Sequence, residues 1–163
     1  MVISDFKKNS KNQINLLRVF SLVSATRKNN SHFSKIFIID MLKTLLLIGF
    51  GGGIGSILRY LTGFTIHKFY GSTLPLATFI VNFIGCFIFG LLFTFFSKNA
   101  ANTEHLRFLL LTGFCGGYTT FSTFSAENFH LFENGNYTIL LVNIVASVIL
   151  GVFAVFLGIQ FGK

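Results

Sequence analysis

The chain has 163 residues, 52% of them hydrophobic and only 11% charged, with a mean hydropathy of +0.70. A soluble domain carries about 25% charged residues, so the composition excludes an ordinary soluble enzyme and fits one small integral membrane domain. The formal charge of +8 does not mark a nucleic-acid binder, because the basic excess lies outside the hydrophobic body.

Residues 1–40 hold that excess: Lys7, Lys8, Lys11, Arg18, Arg27, Lys28 and Lys35 stand against Asp5 and Asp40. No apolar h-region followed by a small-residue cleavage site is present, which argues against a signal peptide. Three readings stay open for this stretch. It is a basic tail on an anionic membrane surface, a regulatory segment, or an extension outside the working protein. Met41-Leu42-Lys43-Thr44 runs straight into a hydrophobic segment and reads as a natural start. The expected division is therefore a basic polar extension over 1–40 and a four-helix membrane domain over 41–163.

Four hydrophobic segments follow, at 42–61, 74–97, 106–130 and 137–161. Each has about 20–25 residues, enough to cross ~30 Å of hydrocarbon at ~1.5 Å per residue. The first carries Gly49, Gly51, Gly52, Gly53, Gly55 and Ser56, with small residues repeatedly four apart. Such pairs let helices approach closely in lipid, and plain packing is the favoured reading. Arg59 near the segment end either snorkels to the headgroups or draws anions into a vestibule.

The second segment opens at Pro75, suited to a first helical turn. Thr78, Asn82, Gly85 and Phe89 share one of its faces. An amide at this depth bonds a neighbouring helix or lines a hydrated path, and the two readings carry equal weight. The third segment contains Gly113-Phe114-Cys115-Gly116-Gly117-Tyr118-Thr119-Thr120-Phe121-Ser122-Thr123-Phe124-Ser125. Glycines and hydroxyls at this density oppose a lipid-facing helix. They predict a break in the Gly-rich middle, between half-helices at 106–114 and 121–130. Such breaks expose carbonyls and N–H groups to ions. Carbonyls of Gly116 and Thr119 suit a hard monovalent cation. Phe121 and Phe124, three apart, offer ring edges to an anion, although spacing alone favours core packing. The fourth segment carries Asn143, Ser147 and Gly151 as a narrow stripe, for which packing has the edge over a pore.

Cys86 and Cys115 lack metal or redox spacing and read as buried free thiols. Glu104, Glu127 and Glu133 are the acids after Met41, and only Glu127 lies inside a segment. No paired carboxylates, His-based triad or zinc spacing appear, so no enzymatic role is expected.

Taken together, Gly51 to Tyr60, Ala77 to Phe87 and Gly113 to Ser125 resemble the Fluc (CrcB) fluoride channel family, in order and at matching separations. The resemblance covers 41–163, and its third motif is the most specific. It implies a passive, fluoride-specific channel, multi-pass in the cell membrane, that lowers cytoplasmic fluoride. It implies an all-α fold with a broken third helix, assembled as an antiparallel, dual-topology homodimer. It implies a structural sodium ion on the carbonyls of Gly116 and Thr119. The implied fluoride pathway is Asn82, Phe121, Ser122, Thr123, Phe124 and Ser147, with Arg59 and Glu127 at the vestibule. Asn143 stands where some members carry Tyr and is left out of the path. Hydroxyls and an amide would replace fluoride's tightly held water while ring edges fill the remaining directions.

An alternative is a small multidrug-resistance-like cation exporter, which wants a membrane-embedded glutamate in the first helix. Residues 49–60 have none. A third reading, a non-transporting accessory protein, leaves the break without a purpose. From Met41 onward, Lys43, Lys98, Arg107 and Lys163 oppose Arg59 and Lys68 across the bilayer, a weak bias that permits both orientations. The seven basic residues of 1–40 would fix the N-terminus inside, so those residues are expected to be dispensable.

Overall fold

The computed structural model describes residues 2–70, 75–99 and 103–163, with side chains from residue 35 onward. It divides into two compact units, Met1–Lys43 and Thr44–Lys163. The first is helical from Val2. The second holds the remainder of helix α1 (Val2–Tyr70), then α2 (Leu76–Lys98), α3 (Glu104–Arg107), a π-helical stretch Phe108–Cys115, α4 (Gly116–Tyr118), α5 (Phe121–Glu133) and α6 (Tyr137–Phe161). No strand occurs among the described residues.

Among the described residues, three helices are long and apolar enough to cross a membrane: Lys35–Tyr70, Leu76–Lys98 and Tyr137–Phe161. The first expected segment, 42–61, lies inside a helix that continues to Tyr70. The second begins at Leu76, and residue 74 of the expected segment lies outside the described residues. The fourth has the expected bounds. The third expected segment is no single long helix but the short pieces from Glu104 to Glu133.

Small residues set how these helices meet. A Cβ on Gly90 would overlap the Val155 carbonyl oxygen, and one on Gly158 that of Phe87, so α2 and α6 approach backbone to backbone. Ala154 is fully buried and Phe96 nearly so in this unit. Thr94 Oγ1 donates to the Gly90 carbonyl at 3.1 Å, and Lys98 Nζ to that of Gly162 at 3.1 Å. The lysine thereby places positive charge at the negative end of α6. The glycines of α1 do the same against the π stretch and α4. Gly51 faces the Leu109 carbonyl, Gly55 that of Phe114, and Gly117 that of Gly52, each too close for a Cβ. The outward surface is apolar, with Leu46, Phe50 and Val152 about two-thirds exposed or more, as suits hydrocarbon.

The turn from α5 to α6 shows why α5 stops. Gly135 has φ +72°, a conformation that favours glycine. Its N–H bonds the Phe132 carbonyl at 3.1 Å while Asn136 N–H bonds that of Leu131 at 2.9 Å, the paired closure of a Schellman cap.

Candidate functional site

The interruption in the third stretch falls at two threonines. Tyr118 ends α4. Thr119 then has ψ 157° and Thr120 lies at φ −148°, ψ 122°, both extended, before α5 begins at Phe121. The glycines placed at the break by the sequence reading are helical instead. At Gly113 and Gly117 the missing side chains make room for the α1 backbone, and contact there overrides intrinsic propensity. Thr119 N–H still closes a helical bond to the Cys115 carbonyl at 3.0 Å, and its Oγ1 donates to the same oxygen at 2.9 Å.

Beyond that point the backbone needs other partners, and Asn82 supplies them. Its Nδ2 donates to the Thr120 carbonyl at 3.0 Å, and its Oδ1 accepts the Thr120 N–H at 2.8 Å. One side-chain amide thus imitates a peptide and satisfies both backbone groups of a buried residue. Gly85, one turn away in the direction of Cys86, leaves room for the Thr119 methyl, which a Cβ there would overlap. Thr120 also caps α5: its Oγ1 accepts the Thr123 N–H at 3.2 Å. The same hydroxyl donates to Thr123 Oγ1 at 3.0 Å and lies 3.3 Å from Ser122 Oγ.

Two cavities meet at Thr120, which lines both. One, of about 270 Å³, brings together Asn82, Phe121, Phe124 and Ser147, with Cys86 and Thr119 in its wall. The Phe121 and Phe124 ring centroids are 5.9 Å apart with planes tilted by 39°. Phe121 is 79% exposed, so its neighbours within the chain do not account for an aromatic ring at that position. The Ser147 hydroxyl oxygen is buried without a hydrogen-bond partner among the described residues.

The other cavity, of about 410 Å³, brings Arg59 and Glu127 together with Thr78 and Thr123. Glu127 Oε1 accepts from Thr78 Oγ1 at 2.6 Å, whereas Oε2 is buried with no partner among the described residues. A residue with an unserved acceptor oxygen and a residue that carries guanidinium donors thus line the same cavity.

The expected residues therefore divide. Asn82, Phe121, Phe124 and Ser147 share one cavity; Arg59, Thr123 and Glu127 share the other; Ser122 lines neither. Gly116 is exposed, and a Cβ there would meet nothing within 4 Å. Asn143 instead bonds Asn128 Oδ1 at 3.0 Å, and Asn128 donates to the Phe124 carbonyl at 2.8 Å, so this pair ties α6 to α5. Cys115 is buried, but Cys86 is only partly so and faces the smaller cavity, unlike the buried thiol expected. The sequence reading missed Thr120 and the Thr78–Glu127 pair. A hydroxyl directly before a helical run is an N-cap signal that points to Thr120. Thr78 carried only its place on the Asn82 face.

A family model described as CrcB-like protein, Camphor Resistance (CrcB), matches residues 46–159. A fluoride-specific ion channel FluC from Azobacteroides pseudotrichonymphae is 48% identical over 118 residues, covering 72% of this chain and 94% of that protein. Proteins of the same name from Flavobacterium psychrophilum and Phocaeicola vulgatus are 45% and 44% identical, covering 75% and 72% of this chain and 98% and 97% of their own lengths. With 114 consecutive residues under one family model and relatives aligned almost end to end, the chain belongs to the CrcB-like family.

Proposed function

We propose that this chain is a fluoride-specific ion channel, multi-pass in the cell membrane, that lets fluoride leave the cytoplasm passively. The observation that carries the reading is the cavity where Asn82, Phe121, Phe124 and Ser147 converge beside an extended backbone, in a chain whose relatives bear that name. Hydrogen fluoride crosses bilayers neutral and ionises inside. A negative-inside potential then drives the anion outward at about 2.3 kcal/mol per charge per 100 mV.

On this reading the anion enters past Arg59, Glu127 and Thr123, passes Thr120, and meets the Phe121 and Phe124 ring edges opposite Ser147. Asn82 has two amide protons. One holds the Thr120 carbonyl and the other is left to serve the ion. Ser122 and Thr123 continue the hydroxyl track. Weak sites suit conduction, since an ion must leave as readily as it arrives.

The finer architecture extends the same proposal. Glu104 to Glu133 forms a third crossing segment interrupted at Thr119 and Thr120, which gives four crossings. Two copies assemble antiparallel. The exposed Gly116 and the extended Thr119 direct hard carbonyl oxygens to a sodium ion shared with the second copy, a donor chemistry that fits the ion. When bound, that ion would hold the two interrupted segments together by charge; it is not transported. Residues 1–40 lie outside the family match and are dispensable for conduction.

Fluoride efflux from liposomes carrying the purified chain tests the reading. Fluoride release without chloride release is expected, and a well-folded protein that releases neither would overturn it. A variant lacking residues 1–40 is expected to conduct within about twofold of the full chain, its pore residues being untouched. A much lower rate from equal protein would make those residues part of the channel.

A further inference from the structure

The smaller cavity holds one group that the fluoride path does not use. Cys86 follows Asn82 by one turn of α2, and both line the cavity. Ser147 and Gly151 form the facing wall, one turn apart on α6. A Cβ on Gly151 would lie 3.9 Å from Cys86 Sγ, so the thiol reaches across to α6. The Ser147 hydroxyl oxygen, in the wall of the same cavity, is buried with no hydrogen-bond partner among the described residues. A buried hydroxyl without a partner is costly, so this wall suits water or a ligand. Cys115 differs: it is 3% exposed and lines neither cavity.

We propose that Cys86 is a thiol in the wall of the anion path, and that a thiophilic mercury(II) compound bound to it closes the path. The proposal rests on the channel reading above. Mercuric chloride is neutral and enters hydrocarbon, so it reaches the cavity wall without having to follow a path that excludes chloride. The cavity of about 270 Å³ is several times the ~30 Å³ share of a water molecule. The thiol sulfur attacks mercury. One S–Hg bond forms, one Hg–Cl bond breaks, chloride leaves with the bonding pair, and the thiol proton passes to water. No oxidation state changes. The S–Hg–Cl arm then occupies the space shared by Asn82, Phe124 and Ser147.

Fluoride efflux is measured from liposomes carrying the full chain, before and after mercuric chloride. Wild type is expected to lose about tenfold or more in rate, because an occupied path cannot conduct, and to regain it with excess dithiothreitol. C115A is expected to lose flux as wild type does. C86A and C86S, each compared with its own untreated rate, are expected to keep theirs. Equal loss in C86A and C86S, or wild-type flux untouched by mercury, overturns the proposal. Peptide mass mapping of the treated wild-type protein gives a second readout: mercury on Cys86 supports the proposal, and mercury on Cys115 alone or on neither overturns it. An absence of flux from untreated wild type counts against the channel reading instead, and the mapping still decides whether the cavity admits the reagent.

Discussion

The α2–α6 pair and the stretch from Gly116 to Phe121 are both rich in small residues inside apolar sequence, yet they put them to different use. In α2 and α6, Gly90 and Gly158 remove side chains so that two unbroken helices meet. In the other stretch, Gly117 removes a side chain against α1 in the same way, but the next threonines leave the helix altogether. The difference lies in where the backbone bonds go. In α2 and α6 the helices satisfy themselves. At Thr120 a side chain from another helix takes over, and Thr120 lines two cavities. A small residue permits close approach; it takes an external hydrogen-bond partner to make a break stable in buried backbone.

The comparison breaks first if the α2–α6 contact proves elastic. G158L drives a side chain into the Phe87 carbonyl and is expected to cost about 3 kcal/mol or more, at or above the usual range for overpacking. Thermal unfolding in detergent and the yield of folded protein would both drop sharply. Near-normal stability would mean the helices separate without loss.

N82A tests the other region. It strands the N–H and carbonyl of a buried residue, at about 1–3 kcal/mol each. Fluoride flux is expected to fall to background, and Thr120 N–H to exchange with deuterium faster than in wild type. Unchanged exchange would show that the break holds itself in place without the amide.

Phe121 separates conduction from stability more cleanly. The ring is largely exposed, so F121I is expected to leave the melting temperature of the protein little changed. Flux should drop about tenfold, since isoleucine offers no polarised ring edge. F124I is expected to match it in flux. Unchanged flux in both would return the two rings to a packing role.

The smallest effect is expected at the cap of α5. T120A removes the acceptor for Thr123 N–H and should cost about 1 kcal/mol, whereas T120S, which keeps the oxygen, should cost less. Equal losses would assign the stability to the Thr120 methyl instead.

Much of this was legible in the residues. The expected bounds of the last apolar segment coincide with α6, because an uninterrupted run of apolar residues needs no tertiary partner to be helical in lipid. The need for an interruption in the third stretch, and the restart at Phe121, were also legible from hydroxyl density. Its position was not. Propensity pointed to the glycines, but Gly113 and Gly117 stay helical because α1 runs against them. The Asn82–Thr120 pairing joins positions 38 apart in the chain and the Thr78–Glu127 bond positions 49 apart. No local pattern encodes such a distance.

The sequence by itself determined that this is a membrane protein with one stretch unfit to be a plain lipid-facing helix, because hydrophobicity and backbone propensity act over a few residues. Only the tertiary structure decided which residues break, what holds the break, and which side chains share each cavity. Those outcomes depend on where the backbones of α1, α2 and α6 approach it, and that approach is set by small residues far away in the chain.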